Sequence, residues 1–106
     1  VKVRLCYNST MSRLDLLKKR RKKIIEIAEK RGGYNVRVFG SVARGEDTKE
    51  SDIDFLMSFT PDTTLFDQGG LLMDLREYLN CKVDIVSDKA IHPLIRDEVL
   101  RSAVAL

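Results

Sequence analysis

Asp52 and Asp54 stand two residues apart in the run Asp52-Ile53-Asp54-Phe55-Leu56-Met57. On a strand that spacing projects both carboxylates from one face with their Cα atoms about 6.5 Å apart. Burial of Ile53 and Phe55 on the other face would hold them there. Two such carboxylates repel unless protons or a cation neutralise them. Their oxygens suit Mg²⁺, which takes one or two protein carboxylates, keeps several waters and completes its shell with substrate phosphates. Asp84, within Lys82-Val83-Asp84-Ile85-Val86, alternates away from Val83 and Ile85. If that strand lies beside the first, a third carboxylate joins the pair. Three carboxylates can hold two ions about 3.5–4 Å apart, which activates an attacking oxygen and stabilises a leaving one at phosphorus.

Gly40-Ser41 follows a strand-like segment and precedes a short helical turn, Val42-Ala43-Arg44. Backbone N–H groups and a hydroxyl at such a junction can meet a phosphate, with Gly40 allowing close approach and Ser41 donating. Arg44 lies three residues after Ser41 and shares its face of a helical turn. From there it can reach a phosphate or pair with Glu46, Asp47 or Glu50. Gly45 suits a tight turn, Ser51 a bond that orients the loop before Asp52, and His92 a cap ahead of Pro93.

The elements that must position these groups follow from periodicity. Ser12 opens a helical pattern through Leu14, Leu17, Ile24, Ile25 and Ala28 that Gly32-Gly33 stops. Tyr34 to Phe39 alternates as a first strand, with Val36 and Val38 on one face. The second strand begins at Asp52. A helix through Leu65, Leu71, Leu72, Leu75 and Leu79 follows, with Gly69-Gly70 as a kink or break near its start, and Met57 and Met73 read as core. The third strand surrounds Asp84, and a final helix from Pro93 turns Leu94, Ile95, Val99, Leu100 and Val104 inward. The tyrosines Tyr7, Tyr34 and Tyr78 read as packing residues. The expectation is an α/β fold: a small mixed sheet of about three strands flanked by about four helices. It occupies residues 12–106, with residues 1–11 as an N-terminal extension or added strand.

The chain has 106 residues, 43% hydrophobic and 33% charged, with 6 Gly and 2 Pro, the profile of one soluble domain. No apolar run reaches the roughly 20 residues of a membrane span, and the chain opens without the apolar stretch of a signal peptide. A cytoplasmic location is expected. Cys6 and Cys81 show no metal-ligand spacing and read as reduced thiols. Residues 1–31 hold 11 Lys/Arg against 3 acids, whereas residues 32–106 hold 8 against 13. The basic excess therefore sits in one segment, centred on Lys18-Lys19-Arg20-Arg21-Lys22-Lys23. A solvated helix face, an acidic partner, steering of a nucleotide and a nucleic acid each fit that run. Without interleaved aromatic residues it is no single-strand stacking platform.

Gly40-Ser41, ten residues, then Asp52-Ile53-Asp54 resembles the signature of the DNA polymerase beta-like nucleotidyltransferase superfamily. The string GSVARGEDTKESDIDFLM is similar to its minimal nucleotidyltransferase (MNT) branch, the antitoxin half of HEPN–MNT toxin–antitoxin pairs. The likeness runs on through KVDIV to the final helix. It implies a nucleotide triphosphate on Gly40 and Ser41, and two Mg²⁺ ions on Asp52, Asp54 and Asp84. Asp84 would also help to deprotonate the acceptor. The implied reaction is attack of a hydroxyl on the α-phosphorus of ATP, with a tyrosine of a cognate HEPN ribonuclease toxin as acceptor. An antitoxin that only occludes its toxin, and a nucleotidyltransferase acting on a small molecule or RNA, are the alternatives. A homodimer or a complex with toxin would each cover apolar surface left by so small a core.

Overall fold

The computed structural model describes residues 12–48 and 50–106. The extension expected over residues 1–11, with Cys6 and Tyr7, lies outside them. Among the described residues five helices and four strands follow in the order α1 (Arg13–Lys19), α2 (Arg21–Glu29), β1 (Gly33–Phe39), α3 (Gly40–Arg44), β2 (Ile53–Phe59), α4 (Leu65–Leu79), β3 (Val83–Ser87), α5 (Pro93–Ser102) and β4 (Val104–Ala105). The strands form one mixed sheet in the order β3-β2-β1-β4, with β2 and β3 parallel and the other pairs antiparallel. The expected α/β class therefore holds, with one more strand and one more helix than the periodicity suggested.

One face of the sheet carries the core. Val36, Val38, Ile53, Phe55 and Met57 meet Leu17, Ile24 and Ala28 from α1 and α2, and Leu71, Leu75 and Leu79 from α4. The leucines of α4 recur every four residues and so line one stripe. Met73 sits about 200° around the axis from Leu71. It is 63% exposed, not a core residue, and Leu65 at 84% is also outside the stripe. Helix α4 continues unbroken through Gly69-Gly70. A Cβ at Gly70 would lie 2.6 Å from Arg31 Nη1, so the glycine makes room for a guanidinium that pairs with Asp74 at 3.2 Å. Thr64 and Asp67 close a reciprocal capping box at the helix start.

The helix expected from Ser12 to Arg31 is two. Arg20, at φ −99° and ψ 9°, ends α1 and begins α2. The junction divides six consecutive cations between two axes, where one straight helix would stack like charges at i,i+4. All six are exposed. Gly32 then adopts φ +82° and releases the chain into β1.

The C-terminal segment departs most from expectation. Helix α5 contains no buried residue, and Leu94 and Ile95 are exposed instead of facing inward. Its end at Ser102 is marked by the Ser102 hydroxyl, which donates to the carbonyls of Glu98 and Val99. Val104 does not extend the helix but pairs with Val38 in β4, and the Leu106 N–H donates to the Val36 carbonyl. Tyr34, expected to pack, is half exposed, whereas Tyr78 packs against the core. Among the described residues no helix is long and apolar enough to cross a membrane.

Candidate active site

The second face of the sheet positions the chemistry. Residues of one parity share it: Asp54, Leu56 and Ser58 on β2, and Asp84 and Val86 on β3. Toward the C-terminal ends of β2 and β3 the face is closed by packing and polar bonds. Leu56 and Ser58 are buried there. The Ser58 hydroxyl donates to Asp88 Oδ2 at 2.6 Å, and Arg37 Nη2 lies 3.8 Å from that same oxygen. At the other, more open end Asp84 is exposed and Asp52 and Asp54 are half-buried.

Register places Asp54 at the centre of that open end. It pairs with Phe39 across the antiparallel ladder and with Asp84 across the parallel one. Gly40 follows Phe39 with φ +76°, and a Cβ on it would come within 2.6 Å of Asp54 Oδ2. Glycine therefore lets the start of α3 lie directly against the carboxylate. The first N–H groups of a helix have no partners within it, so those of Gly40 and Ser41 belong to the surface beside Asp54. Gly45 ends α3 in the left-handed region at φ +72°, the tight turn expected of it.

Ile53 and Phe55 are fully buried, which turns Asp54 to the open face as alternation required. Asp52 is half-buried and precedes β2, whose first residue is Ile53; the strand begins one residue later than expected. Burial raises the pKa of Asp54 above its usual value, and the charges of Asp84 and Asp52 raise it further. Arg44 acts in the opposite sense on that carboxyl while its Nε bonds Glu46 Oε2 at 3.1 Å. The ion pair with Glu46 is the loop-ordering contact expected of Arg44.

Two arginines join the site that spacing alone did not single out. Arg76 on α4 donates from Nε to the Val83 carbonyl at 3.0 Å, and its Nη2 lies 3.9 Å from Asp84 Oδ1. Arg13 on α1 donates from Nη1 to the Ser51 carbonyl at 2.6 Å. Arg13 lies 38 residues from the carbonyl it holds, Arg76 sits across the α4–β3 turn from its own, and neither belongs to a local motif. Ser51 orders the loop as expected, its hydroxyl accepting from the Thr48 N–H at 2.8 Å. His92 caps α5 through Nδ1, which accepts from the Leu94 N–H.

Asp52, Asp54 and Asp84 come to one end of the sheet without closing into a cage. Among the described residues no three carboxylate, imidazole or thiol groups converge tightly enough to hold a metal unaided. This is the donor set Mg²⁺ prefers, a few hard oxygens with the remaining positions left to water and phosphate. Burial chiefly, and then the charges of Asp84 and Asp52, disfavour a bare carboxylate at Asp54, and a divalent cation would offset that charge. The residues present fit such an ion.

Residues 21–106 match the nucleotidyltransferase domain family. A Methanocaldococcus jannaschii protein with the provisional name protein adenylyltransferase MJ0435 is 40% identical over 84 residues, 79% of this chain and 90% of that protein. Protein adenylyltransferase MntA of Thermococcus cleftensis is 34% identical over 83 residues, 74% of this chain and 80% of its own. A solved structure described as a provisional minimal nucleotidyltransferase superposes with a TM-score of 0.80 at 41% identity, covering 93% of this chain and all of that one. A toxin–antitoxin crystal structure with AMP-PNP shares the fold, with a TM-score of 0.68 at 21% identity over 79% of this chain and 69% of its own. The chain belongs to the nucleotidyltransferase domain family, in its minimal branch, and is a nucleotidyltransferase.

Proposed function

We propose that the chain transfers AMP from ATP to a hydroxyl of a partner protein, a tyrosine of a cognate HEPN ribonuclease toxin, and so acts as its antitoxin. The observation that carries the reading is the position of Asp54, with the backbone of Gly40 on one side and Asp84 on the next strand. Phosphates and carboxylates would repel in so tight a space unless a cation lay between them. Asp52, Asp54 and Asp84 would hold Mg²⁺, which supplies charge neutralisation at the triphosphate and lowers the pKa of the attacking hydroxyl.

In this reading the N–H groups of Gly40 and Ser41 and the Ser41 hydroxyl hold the triphosphate, and Arg44 adds positive charge beside it. The acceptor oxygen forms a bond to the α-phosphorus, the bond from that phosphorus to the bridging oxygen breaks, and pyrophosphate leaves. Asp84, the most exposed of the three, accepts the acceptor's proton at a carboxylate oxygen. The relatives named protein adenylyltransferases support AMP as the group moved and protein as the acceptor. Apolar side chains left on the surface support a stable protein partner: Leu65, Phe66 and Met73 on α4, Leu94 and Ile95 on α5.

That exposed surface also favours the second reading, an antitoxin acting by occlusion. Co-expression with the toxin separates the two. Catalysis predicts that Asp52→Ala, Asp54→Ala and Asp84→Ala each abolish protection while the complex still forms; occlusion predicts that all three variants protect.

A further inference from the structure

Arg13 is an arginine on an N-terminal helix whose side chain is only 5% exposed, and its neighbour Asp47 is 7% exposed. Lys and Arg are almost never buried to this degree without a purpose that repays the lost hydration. The guanidinium donates to the carbonyl of Ser51 at 2.6 Å across 38 residues of sequence, and its Nε lies 3.8 Å from Asp47 Oδ2. That carbonyl belongs to the peptide group whose nitrogen is Asp52's own. Because the peptide is planar, holding its oxygen also holds the plane from which Asp52 departs.

Asp52 needs such a hold. It lies outside β2, and its own backbone is not set by the strand ladder. On its far side the first ladder bond runs from the Ile53 N–H to the Lys82 carbonyl at 3.1 Å. On its near side the Ser51 carbonyl goes to Arg13. The backbone of Asp52 is thus held between two anchors, one supplied by the sheet and one by α1. We infer that Arg13, seated against Asp47, is a positioning residue that sets the Asp52 carboxylate for the cation that accompanies the nucleotide. The inference rests on the nucleotidyltransferase reading of the site.

Binding of Mn²⁺, as a spin-active stand-in for Mg²⁺, in the presence of AMP-PNP tests it without turnover. Electron paramagnetic resonance titration would compare the wild-type chain, Arg13→Ala, Arg13→Lys and the core variant Leu75→Ala. Removal of a group that orients a metal ligand weakens metal affinity on the order of 10-fold. Arg13→Ala should lose that much, Arg13→Lys should lose less, and Leu75→Ala should lower the melting temperature while keeping wild-type affinity. A folded Arg13→Ala with wild-type Mn²⁺ affinity would overturn the inference and leave Arg13 a structural residue. Should Arg13→Ala not fold, Arg13→Met decides: it keeps an apolar stem but has no donor for the Ser51 carbonyl, so unchanged affinity again overturns it. Failure of the wild-type chain itself to take Mn²⁺ with AMP-PNP would defeat the proposed function, a result distinct from a difference between wild type and variant.

Discussion

Asp54 and Asp84 are register partners in the parallel ladder between β2 and β3, two carboxylates from strands separated by a whole helix. A parallel pair requires a crossover, and α4 supplies it. Leu71, Leu75 and Leu79 form the stripe that seats this crossover helix on the core.

The stripe gives the first expectation. Leu75→Ala empties fully buried space beneath the sheet, and such truncations cost about 2–5 kcal/mol. Urea unfolding should show a lower midpoint by that amount. A loss within experimental error would mean that α4 does not depend on this stripe.

Gly40 gives the second. Alanine there must take up φ +76° and place its Cβ 2.6 Å from Asp54 Oδ2. The backbone cost is about 1–2 kcal/mol, a modest fall in melting temperature. In the proposed reading this turn meets phosphate, and displacing it by as little as an ångström can cost on the order of 100-fold in rate. Gly40→Ala should therefore lose far more in kcat/KM than in stability; near-wild-type kcat/KM would show that the turn does not touch nucleotide.

Asp54 gives a pH dependence. Burial, then Asp84 and Asp52, raise its folded pKa, with Arg44 opposing. The folded chain thus keeps a proton over a window that opens at the ordinary aspartate value of about 4 and closes at the raised one. Stability contributed by this group falls as pH rises across that window and stays lower above it. Without divalent cations, Asp54→Asn should melt with wild type at about pH 3 and above wild type at about pH 7. Mg²⁺ with AMP-PNP should raise the wild-type melting temperature and spare the variant. An Asn variant that melts below wild type at neutral pH would contradict this account of the site's repulsion.

Alternation made much of this legible. Val36, Val38, Ile53 and Phe55 declared which face of each strand is buried, and hence that Asp54 and Asp84 point the other way. The junction at Gly40 was legible because a strand pattern stops there at a residue free to adopt positive φ. Arg13 and Arg76 were not, since each acts on a backbone carbonyl that only the folded chain brings near, Ser51 and Val83. The spacing of Leu94 and Ile95 matched an inward face, yet α5 buries neither; an amphipathic pattern does not say whether its apolar side meets this chain or another. The short strand β4 lay hidden because two residues are too few for any period to show.

The most direct test of the central claim follows label from α-labelled ATP in the presence of Mg²⁺ and the purified toxin, with wild type and Asp84→Ala side by side. The account predicts AMP on the toxin with wild type and none with the variant, both chains binding the toxin equally. Equal labelling by the two chains, or a stable complex with no label from wild type, would contradict it.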